Sequence, residues 1–358
     1  VAAADTARTG IPCMLMRGGT SKGAYFLAED MPGDPAERDD LLLRIMGSPD
    51  PSQIDGLGGA HPLTSKVAIV SRSTEPGIDV DYLFLQVAVE EPVVADAQTC
   101  GNLLAGIGPF AIERGLVAAS GDESTVRIRL LNTGDVATAT FATPGGLPDY
   151  DGDTAIDGVP GTAGRITLEL TGGDKPLLPT GRPADDIDGH RVTLIDNGMP
   201  VALLRADEFG VSGDESPAEL EERADLHEAL ERVRLEAGRL MGLGDVAAQT
   251  VPKMFLLSPP RRAGAISTRA FIPARVHTSI GVLMAASVAA GIRIPDAVGS
   301  DLAVLADPDV TDIEHPSGTF SATVGVTRDA DGTWRAASTS IRTARKIFDG
   351  RVFPRPRR

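Results

Sequence analysis

Residues 100–115 read CGNLLAGIGPFAIERG: almost wholly apolar, rich in small side chains, opened by a polar Cys-Gly-Asn and closed by Gly115. A helix that is hydrophobic all round is a buried one. A glycine just past the last apolar residue is a common C-cap. The stretch predicts a helix inside a shell of other elements, interrupted or bent at Pro109. The shell lies on both sides of it. VAIV (67–70), DVDYLFLQVAV (79–89), TVRIRLLNT (125–133), VATATF (136–141) and RITLEL (165–170) are rich in β-formers and bounded by polar breakers, so they read as strands. Further upstream, IPCMLMRGGTSKGAYFL (11–27) gives two strands joined by a Gly-rich turn, and RDDLLLRIMG (38–47) a short amphipathic helix.

The pattern recurs once. VHTSIGVLMAASVAAG (276–291) again runs from a polar start into an apolar, small-residue helix ending at a glycine. Around it lie HRVTLIDNGMPVALLRA (190–206), a hairpin turning at Asn197-Gly198, and the strand-like PKMFLLSPP and AISTRAFIP. SPAELEERADLHEALERVRLEAGRLMG (216–242) reads as one long helix. Ser216 and Glu219 form its capping box, with Pro217 at the first helical position. Its charges, His227 among them, read as a solvated face. Two halves of like pattern and negligible identity suggest an internal duplication.

The chain has 358 residues, 42% of them hydrophobic and 4% aromatic, which suits two domains with cores built from Val, Leu, Ile and Ala. A net charge of −16 argues against a sequence-independent nucleic-acid binder and requires any site for an anion to gather positive charge locally. Two cysteines, Cys13 and Cys100, form no disulfide framework and suit a reducing cytoplasm. The first ten residues lack a signal-peptide core, and no run of eighteen apolar residues offers a membrane span. The expected partner is a small molecule, with neither nucleic acid nor membrane. The oligomeric state stays open, a homodimer being admissible.

The start of a buried helix presents unpaired N–H groups and a positive dipole end, which attract carboxylates and lower the pKa of a thiol placed there. Cys100, Gly101 and Asn102 stand at one such start and His277, Thr278 and Ser279 at the other. Facing each other, the two would clamp one anion. A lone cysteine is more often a structural thiol, and Cys13, inside the apolar IPCMLM, keeps that reading. Lys66 opens a strand after a Gly-rich turn, with Ser65 before it. A surface lysine is usually solvated, but burial or nearby positive charge makes one a proton carrier. MRGGTSKG (16–23) lacks the order of a phosphate loop, since Ser21 precedes Lys22. It reads as a tight turn at Gly19 presenting Thr20, Ser21 and backbone amides, or as a purely structural turn. The five histidines show no metal-ligand spacing, and neither a dinucleotide fingerprint nor a nucleophile elbow is present. That leaves acid–base chemistry without a cofactor.

MRGGTSKGAYF (16–26), MGSPDPSQIDGLGGAHPLTSKVAIV (46–70), DVDYLFLQV (79–87) and QTCGNLLAGIGPFAIERGLV (98–117) together resemble the PrpF family of the diaminopimelate-epimerase-like superfamily. VPKMFLLSPP (251–260) and RTARKIFDGRVF (342–353) fit it too. The resemblance implies an α+β fold of two pseudo-symmetric domains, each a curved antiparallel sheet or barrel around a central apolar helix. The first would span 1–188 with 341–358, the second 189–340, with a cleft between them. The family's activities are 2-methylaconitate cis–trans isomerisation and 4-oxalomesaconate tautomerisation, both without cofactor, and Val67 and Ala68 resemble the tautomerase branch. Its acid–base pair falls on Lys66 and Cys100. The superfamily's amino-acid epimerases use one cysteine from each half, whereas the second half here offers Thr278 and Ser279. Substrate carboxylates would meet the helix-start amides, Ser21, Asn102 and basic groups drawn from Arg17, Lys22, Arg275, Arg342 and Arg345. A non-catalytic polycarboxylate-binding protein is the alternative from outside the enzymes.

Overall fold

The computed structural model describes residues 9–96, 99–171, 176–272 and 275–357, and the chain divides into two units. Unit 1 comprises residues up to Leu168 together with Arg342–Arg358; unit 2 is Glu169–Ile341. The division falls about twenty residues before the boundary expected at 188, because the intervening segment is tied into unit 2. Leu177 N donates to Trp334 O, and Asp185–Ile187 pairs with the strand that follows it.

Unit 1 contains β1 (Ile11–Gly18), β2 (Ser21–Leu27), α1 (Pro35–Met46), β3 (Lys66–Arg72), β4 (Val80–Val87), β5 (Val94–Ala95), α2 (Gly101–Glu113), β6 (Glu123–Leu130), β7 (Val136–Ala142) and the first part of β8 (Arg165–Thr171). β1 pairs antiparallel with β2, β2 parallel with β3, β3 antiparallel with β4, β4 parallel with β6, and β6 antiparallel with β7. The sheet wraps α2, which packs against β1, β2, β3, β6 and β7. Every residue of α2 from Gly101 to Ile112 is buried. The predicted buried helix is there, but it runs unbroken through Pro109. The missing N–H removes one helical bond, and the enclosing sheet holds the remainder in place. On the outer face, α1 packs Leu41, Leu42, Ile45 and Met46 onto Val67, Ile69 and Leu85.

Unit 2 contains β9 (Asp185–Ile187), β10 (His190–Asp196), β11 (Pro200–Arg205), α3 (Pro217–Glu221), α4 (Ala224–Leu240), β12 (Lys253–Ser258), β13 (Ile266–Ile272), β14 (Arg275–Val276), α5 (Val282–Gly291), β15 (Val310–His315) and β16 (Gly318–Arg328). The last strand, β17 (Trp334–Val352), begins in unit 2 and ends in unit 1, where it pairs with β1. From β10 to β16 the pairings run antiparallel, parallel, antiparallel, parallel, antiparallel, as they do from β1 to β7. The two-residue strands β5 and β14 each pair back onto their predecessor just before a central helix. The duplication suggested by sequence pattern is thus complete at the level of topology.

Two local expectations change. The long helix predicted over 216–242 is broken at Glu222–Arg223, where Arg223 leaves helical geometry (ψ 82°). α3 packs on β14 while α4 packs on β9 and β12, so different neighbours claim the two pieces. The capping box at Ser216 and Glu219 is formed. His227 is half-buried, edge-on to the Phe271 ring, rather than part of a solvated face. Among the described residues no helix is long and apolar enough to cross a membrane.

Candidate active site

Strand alternation decides where Lys66 points. Val67 and Ile69 join the cluster under α1, so Lys66, Ala68 and Val70 face α2. In register, Lys66 lies between Gly23 of β2 and Gln86 of β4. Gly23 is needed there, because a Cβ would come within 2.7 Å of Leu103 Cδ2 and of the Lys66 carbonyl oxygen. With nothing in the way, α2 settles onto the sheet and Lys66 Nζ donates to Cys100 Sγ at 3.6 Å. The ammonium also lies 5.3 Å from the Phe84 ring centroid. Lys66 is 9% exposed and Cys100 7%. Lysines so far inside are almost always paired.

Cys100 is the N-cap residue of α2 and makes no side-chain capping bond, which leaves its sulfur to Lys66. Its carbonyl accepts from Leu104 N (3.0 Å) and from Tyr82 Oη (3.3 Å). Tyr25 Oη donates to Leu103 O at 2.7 Å. Burial raises the pKa of both phenols well above the ordinary tyrosine value, so they serve as neutral donors that clamp the first turn. Sequence reasoning missed both; buried aromatics in a strand give no sign of what their hydroxyls reach.

The β1–β2 turn forms the adjoining wall. Asn102 Nδ2 donates to Thr20 Oγ1 (3.1 Å) and Ser21 Oγ (3.5 Å). The other end of that amide, Oδ1, is buried with no hydrogen-bond partner among the described residues. It rests against Gly19, where a Cβ would sit 2.4 Å from it and where φ is +50°. The Gly19 N–H is taken by Thr343 O at 2.9 Å. Gly101 opens α2, whose first-turn N–H groups have no acceptor within the helix. Ser65, beside Lys66, turns its hydroxyl away into a buried network: it donates to Val87 O and accepts from Gln53 Nε2, both at 2.8 Å.

The basic residues separate by face. Arg17 lies directly opposite Lys22 on one side and Arg345 on the other. Opposed residues share a face of the sheet, here the one carrying Ala24 and the α1 cluster. Arg17 and Lys22 therefore lie on the far side from Ser21 and Lys66. Arg17 Nη1 fastens the turn by donating to Gly19 O, Thr343 O and Thr343 Oγ1, each at 3.0 Å. Arg342 sits two residues from Ala344, the partner of Gly18, and so shares the face of Ser21. Burial strips the guanidinium of hydration and pushes its pKa down to about 9. Arg275 is exposed and paired with Glu221 at 3.5 Å.

In unit 2, His277 and Ser279 are buried and Thr278 is exposed. Ser279 N donates to His277 Nδ1 at 2.9 Å. α5 begins at Val282 behind Gly281, so these three residues precede the helix and do not open it. The duplication also reveals a residue that sequence reasoning passed over. Lys253 is the first residue of β12, as Lys66 is of β3. Met254 and Leu256 face the cluster under α4, which puts Lys253, 4% exposed, on the α5 face. Only the alignment of the two topologies makes the correspondence visible. Among the described residues no three His, Cys, Asp or Glu side chains are grouped to hold a metal.

Two matched units, each a sheet around an apolar helix, define a diaminopimelate-epimerase-like isomerase fold. The PrpF protein family model matches residues 8–355, and the chain belongs to the PrpF family. It is 55% identical over 348 residues to a (4E)-oxalomesaconate Δ-isomerase of Novosphingobium sp. (strain KA1), covering 96% of this chain and 97% of that protein. It is 50% identical over 351 residues to a 4-oxalomesaconate tautomerase of Pseudomonas putida, covering 96% of each. Among solved structures, a methylitaconate-Δ-isomerase superposes with a TM-score of 0.76 at 32% identity, over 96% of this chain and 95% of that one.

Proposed function

We propose that this chain is a cofactor-independent isomerase that carries out keto–enol tautomerisation of 4-oxalomesaconate. The observation that carries the reading is the Lys66 Nζ–Cys100 Sγ contact of 3.6 Å at the start of α2. One of the pair takes the proton from the carbon α to the oxo group, and the other delivers a proton to the far end of the conjugated system. The composition of the substrate is unchanged and nothing is oxidised. The dienolate formed between the two steps is stabilised by the first-turn N–H groups of α2, and Arg342, on the Ser21 face of the sheet, supplies the positive charge. Each proton-transfer group contributes about 10²–10⁴-fold. The substrate class follows from the relatives named as acting on 4-oxalomesaconate. Two free, buried cysteines suit a cytoplasmic setting.

An ultraviolet time course with freshly generated 4-oxalomesaconate tests this, run beside cis-methylaconitate and Cys100→Ser. Fast conversion of the first acid, absent in the variant, supports the reading. Turnover of methylaconitate alone moves the chain to the sister activity, and silence on both acids overturns an enzymatic role.

A further inference from the structure

Residues 47–65 carry more ordered structure than an exposed, glycine-rich loop needs. Four non-glycine residues among those described have left-handed backbone, and two of them, Gln53 (φ +44°) and Ala60 (φ +58°), lie here. Such conformations persist only where surroundings enforce them, and they collect at functional sites. The two are joined, since Ala60 N donates to Gln53 Oε1 at 2.9 Å. Gln53, 1% exposed, spends its other amide atom on Ser48 Oγ (3.0 Å) and Ser65 Oγ (2.8 Å). Ser48 passes the chain on to Ala88 O at 2.6 Å. Gly58 leaves room for the amide, as a Cβ there would lie 2.1 Å from it. The Ser65 carbonyl is held as well, by Gln86 Nε2 at 2.8 Å and Val87 N at 3.2 Å. The residue before Lys66 is thus gripped at both its hydroxyl and its carbonyl.

We propose that Gln53 is a positioning residue for Lys66: its amide ties the strained loop to Ser65 and so fixes where the Lys66 ammonium meets Cys100. The role rests on the reading of Lys66 and Cys100 as the proton-transfer pair. Gln53→Met keeps the length of the side chain and removes all three hydrogen bonds, while Ser65→Ala cuts the link to Lys66 together with the Ser65 bond to Val87 O, whose loss is read in the melting temperature. Three quantities are measured for each variant and for the double variant: kcat and KM on 4-oxalomesaconate, the melting temperature, and the rate of alkylation by iodoacetamide against pH. Alkylation reports the thiolate of Cys100. Cys13 stays silent, being fully buried with its thiol pushed up to about 12, first by burial.

The expected result is a kcat lowered about 10–100-fold with KM within about threefold, a displaced alkylation profile, and a double variant whose kcat is no lower than that of Gln53→Met, because both changes cut the Gln53–Ser65 link. A merely structural glutamine lowers the melting temperature and leaves kcat per folded molecule and the alkylation profile where they were. That outcome, or additive losses of kcat in the double variant, overturns the proposal. Should Gln53→Met not fold, Ser65→Ala alone decides. If the wild type turns over no oxalomesaconate, the proposed function fails while the alkylation profiles still judge Gln53.

Discussion

Replacing Gly18 by alanine tests how Cys100 is brought to Lys66. The backbone at Gly18 is one that alanine adopts, so the effect is steric alone. A Cβ there would lie 2.5 Å from Asn102 O and 3.0 Å from Leu103 Cα, both backbone atoms of the first turn of α2. Ordinary contact begins at 3.4 Å, so the turn must open by about 0.9 Å. The start of α2 is enclosed by sheet, and overpacking of this kind costs about 1–3 kcal/mol. Cys100 stands two residues before Asn102 and moves with it, carrying its sulfur from 3.6 Å out of reach of Lys66. A displacement of about 1 Å at a reacting group lowers turnover about 10²-fold. The assay is kcat on 4-oxalomesaconate with a melting curve, and Gly33→Ala as control, since a Cβ at Gly33 meets nothing within 4 Å. Wild-type kcat in Gly18→Ala would refute the reasoning, for it would mean that the seat of α2 does not set the pair's geometry.

Cys100→Ser and Lys66→Met each lower kcat by about 10²–10⁴-fold, with unchanged circular dichroism. Arg342→Gln raises KM by about 10–100-fold, the worth of a charge-assisted hydrogen bond, and affects kcat less; steady-state kinetics separates the two. Cys13 keeps its proton in the native state up to about pH 12, whereas the unfolded thiol gives it up near 9, so its contribution to stability is lost as pH rises through that window. Melting temperatures measured from pH 8 to 11 therefore fall less steeply in Cys13→Val than in the wild type.

The two central helices were legible because composition alone marks a helix buried on every side, and most strands because β-formers cluster between breakers. The break at Glu222–Arg223 was not, since no glycine or proline marks it and the cause is which strands each piece packs on. The site was legible only in part. Lys66 and Cys100 are separated by 34 positions, and their meeting depends on a register between β2, β3 and β4 that sequence does not state. Arg17 and Lys22 show the opposite failure. They flank Thr20 and Ser21 in sequence, yet alternation turns them to the other face. Proximity along a strand is a poor guide to a shared site, because neighbours diverge and alternate residues agree.

The pair's geometry also bears on the kind of reaction it can run. Two groups that invert a stereocentre approach one carbon from opposite faces, and reacting atoms stand about 3–3.5 Å apart. Such groups are therefore separated by about 6–7 Å, with the carbon between them. Lys66 Nζ and Cys100 Sγ lie 3.6 Å apart, in direct contact, with no room for a carbon between them. Read as the proton-transfer pair and standing side by side, they would both meet one side of a flat, conjugated molecule. Removal at one atom and return at another along the chain is compatible with that arrangement, and inversion at a single atom by this pair is not. The cysteine's contact thus favours a proton shift over a racemisation on geometric grounds, independently of which polycarboxylate is bound.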